Sequence, residues 1–254
     1  MTVIFKVYRG TPGKQFWEEF SLESVPLMNV ISGLMTIRRH PYNRRGEKVE
    51  PVVWEDGCLE EVCGSCSMLV NGKPRQACSA IVETILAETG EDTITLAPFT
   101  KFPLVRDLII DRSSMFEDLK RISGWVETDS YFDRGPGPLI SQSVAEIRYL
   151  LSECMTCGCC SEACPQVNDD SDFMGPAPIS QVRLFNTHPT GARQKRKRTK
   201  VLMEKGGVSE CGNAQNCSRV CPKKIPLTES IGVMGREVTK QAFRELFSQP
   251  DIES

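Results

Sequence analysis

Cys154, Cys157, Cys160 and Cys164, with Pro165 directly behind, stand at C-x2-C-x2-C-x3-C-P spacing once Cys159 is set aside. Bacterial-type ferredoxins hold an iron–sulfur cluster at this interval, with the fourth thiol serving a second cluster. A cubane needs thiolates converging from several sides, and two-residue gaps in a tight loop supply three. Pro165 has a fixed φ and no N–H, so it turns the chain away after the last thiol. A second copy follows at one constant offset: Cys211, Cys217, Cys221 and Pro222 take the places of Cys154, Cys160, Cys164 and Pro165. In that copy Ala214 takes the place of Cys157. Crossed ligation predicts a site of four thiolates from Cys154, Cys157, Cys160 and Cys221. The other site has three, from Cys164, Cys211 and Cys217. Ala214 cannot bind iron, so one [4Fe–4S] and one [3Fe–4S] cluster are expected.

A separate set lies earlier in the chain. Cys58, Cys63 and Cys66, followed by Cys78, give the C-x4-C-x2-C…C spacing of plant-type [2Fe–2S] proteins. Gly57, Gly64 and Ser65 are small, so backbone N–H groups can approach the sulfides. Zinc is the competing reading, because C-x2-C pairs also make zinc knuckles. The ferredoxin-type repeat beside this set argues for iron.

These thiols need a scaffold. The chain has 254 residues, of which 40% are hydrophobic and 25% charged, within the range of a globular protein. A formal charge of −2 gives no reason to expect nucleic acid as the main partner. No apolar run approaches a spanning helix. The start, Met1 to Tyr8, alternates like a strand and lacks a secretory apolar core. A reducing compartment is therefore expected, where twelve cysteines are metal ligands rather than disulfides.

Residues 2–9 and 16–22 read as strands around a turn at Gly10-Thr11-Pro12-Gly13. Pro26 opens a helical stretch with Leu27, Val30, Ile31, Leu34 and Ile37 on one face, closed by His40. Ser67-Met68-Leu69-Val70, the turn Asn71-Gly72 and a return strand from Lys73 carry Cys78 back beside its loop. Ile94-Thr95-Leu96 closes the first domain. Val105, Leu108, Ile109, Phe116 and Leu119 then read as one helix. After a stiff connection at Arg134-Gly135-Pro136-Gly137-Pro138, a capping-box pattern at Ser143-Val144-Ala145-Glu146 starts a helix with Val144, Ile147 and Leu151 facing inward. A further helix begins near Ile179. The run from Arg193 to Lys200 reads as a solvated basic face, or as a contact for anionic lipid headgroups. A last helix from about Thr228 carries Ile231, Met234, Val238, Ala242 and Leu246 on one face. The expected fold is α+β: a plant-type [2Fe–2S] ferredoxin domain of β-grasp form over residues 1–104, then an all-α bacterial ferredoxin-like domain over 105–254.

In this order the two modules resemble the iron–sulfur subunits of succinate dehydrogenase and fumarate reductase. The likeness spans nearly the whole chain and includes Cys58 to Cys66, Asn71 to Cys78, Cys154 to Gly158, Phe173 to Pro178 and Cys217 to Lys223. It looks most like the menaquinone-linked enzymes of bacilli. The resemblance implies [2Fe–2S] at Cys58, Cys63, Cys66 and Cys78, [4Fe–4S] at Cys154, Cys157, Cys160 and Cys221, and [3Fe–4S] at Cys164, Cys211 and Cys217. Cys159 has no ligand role and reads as a small buried hydrophobe. The implied partners are an FAD flavoprotein subunit, a membrane-anchor cytochrome b and a quinone near the [3Fe–4S] cluster, at the cytoplasmic face of the cell membrane. The implied activity is succinate:quinone oxidoreduction, with quinol:fumarate reduction as the reverse alternative. Many ubiquinone-linked relatives carry a tryptophan pair soon after the fourth cysteine. Here Pro165-Gln166-Val167-Asn168-Asp169-Asp170 stands instead, which favours menaquinone and a diheme anchor. With no GxGxxG and two histidines, His40 and His188, the chain shows no dinucleotide site or acid–base machinery of its own.

Overall fold

The computed structural model describes residues 2–127 and 139–247. It divides into two compact units. The first takes in Met1–Arg112, Met155–Ala163 and Val220–Pro222. Its frame is a mixed sheet. β1 (Thr2–Thr11) and β2 (Lys14–Glu23) pair antiparallel, as alternation in the sequence predicts. Val3, Phe5 and Val7 of β1 point to one side and are fully buried. They meet helix α1 (Val30–Arg39), which buries Val30, Ile31, Leu34 and Ile37. α1 starts later than the periodicity suggests. Asn29 caps it by accepting the Ser32 N–H, while the Ser32 hydroxyl accepts the Asn29 N–H in return. Leu27 stays outside, 77% exposed, with φ of +61°. His40 is the C-terminal cap, as expected.

β3 (Ser67–Val70) and β4 (Lys73–Gln76) form the hairpin predicted from Asn71-Gly72, whose φ angles are both positive. α2 (Val82–Thr89), absent from the sequence reading, buries Val82, Ile85 and Leu86 against the same core. β5 (Thr93–Ala97) then enters the sheet centrally, parallel to β1 and antiparallel to β3, giving the order β2-β1-β5-β3-β4.

Residues Leu104 to Ile110, expected as helix, instead form a small hairpin of β6 (Leu104–Arg106) and β7 (Ile109–Ile110). The cause is Asp107, buried with φ of +50°. Its carboxylate accepts the N–H groups of Gly10 (2.7 Å) and Val53 (3.0 Å) and pairs with buried Arg9 at 3.4 Å. Local periodicity loses to a buried ion pair between residues far apart in sequence.

The second unit, Ser113–Cys154, Cys164–Arg219 and Lys223–Ser254, is helical. α3 (Ser113–Arg121) is followed by α4 (Gln142–Ser152). The predicted stiff connection at 134–138 lies outside the described residues. α4 is the expected helix before Cys154, with Leu151 buried, but it starts at Gln142 with no side-chain cap. The turn α5 (Cys159–Glu162) belongs to the first unit. α6 (Pro176–Thr187) begins on its two prolines rather than after them, since Pro176 at the first position gives up no helical N–H. α7 (Lys195–Met203), α8 (Asn216–Val220) and α9 (Leu227–Phe247) complete the chain. α9 packs through Leu227, Ile231, Met234 and Val238; Gln241 then takes the inward place, and Leu246 is exposed.

The basic run lies on α7 and the turn before it. Lys195 pairs with Glu237 at 2.6 Å, and Lys200 lies 3.8 Å from Glu245. Arg198 fits neither sequence reading: it is fully buried. It donates to the carbonyls of Ser123, Gly191 and Trp125 at 3.0, 2.7 and 2.7 Å, and to the side chains of Asn186 and Gln194. Burial lowers its pKa. No helix among the described residues is long and apolar enough to cross a membrane.

Candidate metal centres

The front loop is built for anionic sulfur. Leu59 and Glu61 both adopt left-handed backbone, φ of +59° and +57°, and so curl the chain around Cys58. Three N–H groups then point at the Cys58 sulfur, from Glu60, Val62 and Cys63, each at 3.3 Å. The Cys58 N–H in turn points at Cys63 Sγ at 3.4 Å. This bond comes first among the causes that lower the Cys63 thiol to about 6. Donors converging on sulfur favour thiolate over thiol, the form in which cysteine ligates iron. Cys66 and Cys78 sit deeper, one before β3 and one after β4. Burial pushes the Cys66 thiol up to about 12, so metal must displace its proton. The four residues are thus held by one loop and one hairpin, as the spacing requires. Among the described residues no three Cys, His, Asp or Glu side chains gather as they would round a single metal ion.

Residues 155–163 lie in the same unit and touch this loop. Gly64, φ of +77°, passes so close that an added Cβ would lie 2.8 Å from the Met155 carbonyl oxygen and 3.0 Å from Cys157 Cβ. Only glycine serves there, for its left-handed backbone and for the contact. The small residue noted in the sequence therefore also seats a second cysteine loop. Glu162, buried at the end of α5, accepts the N–H groups of Thr100 (3.0 Å) and Lys101 (3.1 Å) and the Thr100 hydroxyl. Arg112 pairs with Glu55 at 2.7 Å and donates to the Ser65 carbonyl at 3.0 Å. Its charge is among the causes that lower the Cys157 thiol to about 7, the largest being a hydrogen bond from the Cys159 side chain. Glu162 and Arg112 are site supports that the spacing rules could not single out. Cys157, Cys160 and Cys221 belong to the first unit, and Cys154 ends the preceding segment along the chain.

In the second unit Cys164, Cys211 and Cys217 line one pocket of about 280 Å3, counting its open side. Ala214 is on the wall, with Gln166, Phe173 and Ile231. The three thiols expected to share a cluster thus share a cavity, and the residue that replaces the missing ligand faces it. Burial raises the Cys217 thiol, so here too metal must displace a proton. The repeat extends to the backbone. Thr156 and Gly158 are left-handed on either side of Cys157, at +52° and +89°. Asn213 and Gln215 are left-handed on either side of Ala214, at +54° and +61°. A short helix follows in each copy, α5 and α8.

Comparison with known proteins matches both parts of the chain to cluster-binding families. Residues 4–117 match the family described as a 2Fe-2S iron-sulfur cluster binding domain, and residues 150–225 a 4Fe-4S dicluster domain. The chain is 54% identical over 235 residues to the succinate dehydrogenase iron-sulfur subunit of Bacillus subtilis (strain 168), covering 92% of this chain and 91% of that one. It is 29% identical over 228 residues to the fumarate reductase iron-sulfur subunit of Wolinella succinogenes, covering 89% and 90%. Among solved structures, a chain of the Mycobacterium smegmatis Sdh1 complex in the apo form shares the fold, with a TM-score of 0.81 at 21% identity over 99% of each chain.

Proposed function

This chain belongs to the iron–sulfur subunit family of succinate dehydrogenases and fumarate reductases, and from that premise we propose that it is the electron relay of a succinate:quinone oxidoreductase. The family binds [2Fe–2S], [4Fe–4S] and [3Fe–4S] clusters and forms part of an oxidoreductase complex. In this reading residues 1–104 hold the [2Fe–2S] centre through Cys58, Cys63, Cys66 and Cys78. Residues 105–254 hold the [4Fe–4S] centre through Cys154, Cys157, Cys160 and Cys221, and the [3Fe–4S] centre through Cys164, Cys211 and Cys217. Bound clusters supply one-electron transfer, carrying electrons from FAD in a flavoprotein subunit, in that order, to menaquinone at a cytochrome b anchor on the cytoplasmic side of the membrane.

The residues of this chain bind, orient and tune. Glu60, Val62 and Cys63 aim N–H groups at the Cys58 sulfur, which stabilises a reduced and more negative centre. Gly64 lets two cysteine loops lie against each other. Glu162 ties α5 to the segment after β5.

The observation that carries the reading is Ala214 on the wall of the three-cysteine pocket, within a repeat whose other copy has Cys157 at that position. The test is to purify the native complex and combine iron analysis with EPR. About nine irons per chain and a paramagnetic oxidised-state signal from the three-iron centre are expected. A colourless zinc protein, or eight irons in the helical half, contradicts it. Co-purification with a flavoprotein and a membrane cytochrome, and turnover with menaquinone against ubiquinone analogues, test the partners and the acceptor. Fumarate reduction is the same relay run in reverse.

A further inference from the structure

A cavity of about 420 Å3 lies between α7, the turn before it and the C-terminal half of α9, all within the helical unit. Four cations line it, Arg193, Lys195, Arg196 and Arg244, against two carboxylates, Glu237 and Glu245. Both carboxylates are already engaged. Glu237 pairs with Lys195 at 2.6 Å and Lys240 at 3.2 Å. Glu245 accepts the Gln241 amide at 2.9 Å and lies 3.8 Å from Lys200. Arg193 and Arg244 come from different elements, are both exposed, and pair with no carboxylate among the described residues. Two guanidiniums with donors to spare thus line one space.

The placing of these charges is unfavourable for the helix alone. The first turn of α7 is Lys195, Arg196 and Lys197, with no acidic residue, and its cap Gln194 supplies no side-chain bond. A helix N-terminus carries partial positive charge, so each cation there costs stability where an anion would add it. A cleft lined mainly by one sign of charge also concentrates counter-ions. Guanidinium presents paired donors that match two oxygens of a phosphate. Guanidiniums on two walls suit a group with oxygens on several sides, which a phosphate has and a carboxylate has not.

We propose that this cavity binds a phosphate group, the chemistry shared by the headgroup of an acidic phospholipid and by a soluble phosphate ester. Arg193 and Arg244 grip it, while Lys195 and Arg196, balanced by Glu237 and Glu245, hold the walls. The neighbouring surface favours the lipid. Phe247 follows Arg244 by one helical turn and Phe243 precedes Phe247 by one, and both are exposed, at 80% and 59%. Exposed rings beside cations at a helix end are what a peripheral protein sets into the headgroup region. The cavity holds no cysteine, so the proposal stands apart from the cluster assignment.

The test uses the full iron-loaded chain, purified by itself. Co-sedimentation with phosphatidylcholine vesicles, with and without phosphatidylglycerol, reads the lipid source; calorimetric titration with glycerol phosphate reads the soluble one. Binding should require phosphatidylglycerol and fall roughly 30-fold in Arg193→Gln/Arg244→Gln, about fivefold for each guanidinium. Binding of glycerol phosphate alone, lost in the same variant, assigns the site to a soluble ester. Lys14→Gln/Lys73→Gln removes equal charge from exposed positions of the first unit and should bind as wild type. Binding that survives the arginine pair, equal weakening in both pairs, or no binding of either probe overturns the site. If the arginine pair does not fold, Ala192→Glu, which adds a carboxylate to the lining, decides: lost binding supports the site and unchanged binding overturns it.

Discussion

The two copies of the cysteine repeat share a backbone and differ in what it holds. Each has a left-handed residue on either side of its central position, then a short helix. The central residue is Cys157 in one and Ala214 in the other. The loop conformation therefore depends neither on a thiol at its centre nor on glycine, since Gln215 adopts the left-handed angle that Gly158 adopts in the first copy. On the proposed ligand assignment, one side chain then decides how many irons the loop holds, and cluster type is a local property separable from the fold.

That separation is tested most severely by removing a ligand. Cys217→Ala leaves the rear pocket with two thiols, too few for a three-iron cluster. Loss of the oxidised-state EPR signal and of about three irons per chain is expected, with the [2Fe–2S] signal intact. Metal binding contributes to folding in such sites, so the helical half should also become more sensitive to protease. Survival of the three-iron signal would remove Cys217 from the ligand set.

The reverse change sharpens the comparison. Ala214→Cys restores the thiol that the first copy has. It should convert the three-iron centre into a four-iron one, with a gain of about one iron per chain and loss of the oxidised-state signal. Turnover with quinone should fall, because the altered centre has a different potential. An unchanged spectrum with the new thiol in place would show that the pocket geometry, rather than the missing sulfur, sets the iron count.

How much of this could be read in advance follows from the range of the forces involved. The β1–β2 pair, the Asn71-Gly72 hairpin and the offset repeat depend on near neighbours, and the sequence shows them directly. The β6–β7 hairpin does not: Val105, Leu108 and Ile109 fit a helical spacing, yet Asp107 is held by Arg9, Gly10 and Val53 from elsewhere in the unit. α1 was legible in type but not in onset, because Asn29 and Ser32 outcompete Pro26 as its start. At the sites, ligand spacing was visible, whereas the supports were not. Glu162 and Arg112 look like ordinary polar residues until the fold brings them against the cysteine loops.

Arg198 is the plainest case, and it marks a difference between the halves. The first unit is held by a sheet with a large apolar core, while the helical one places a buried guanidinium among three backbone carbonyls and two side-chain amides. Arg198→Met keeps the volume and strands those carbonyls. A loss of about 3–5 kcal/mol is expected, at 1–3 kcal/mol per unsatisfied buried group with partial relaxation. It should appear as a lower urea midpoint for the helical half. Substituting the neighbouring Lys197, exposed and 3.9 Å from Glu127, should change stability by less than about 0.5 kcal/mol. Similar effects at the two positions would return the whole run to a solvated face.

The smallest effect is the most direct test of shared loop geometry. Gly158 and Gln215 occupy matching left-handed positions, so reciprocal changes should be unequal in a defined way. Gly158→Ala puts a Cβ where φ is +89° and about 3.2 Å from the Phe102 ring. That combination should cost about 1–2 kcal/mol, from left-handed strain plus the contact. Gln215→Gly relieves comparable backbone strain but also frees the unfolded chain, an opposing term of about 0.4–1 kcal/mol. The two nearly cancel, so its midpoint should stay within about 0.5 kcal/mol of wild type. Measured together under anaerobic conditions, the pair reads the backbone independently of the metal. Equal losses at both sites would mean that Gln215 is held by its side chain rather than tolerated by its loop, and the equivalence of the two copies would end at the cysteines.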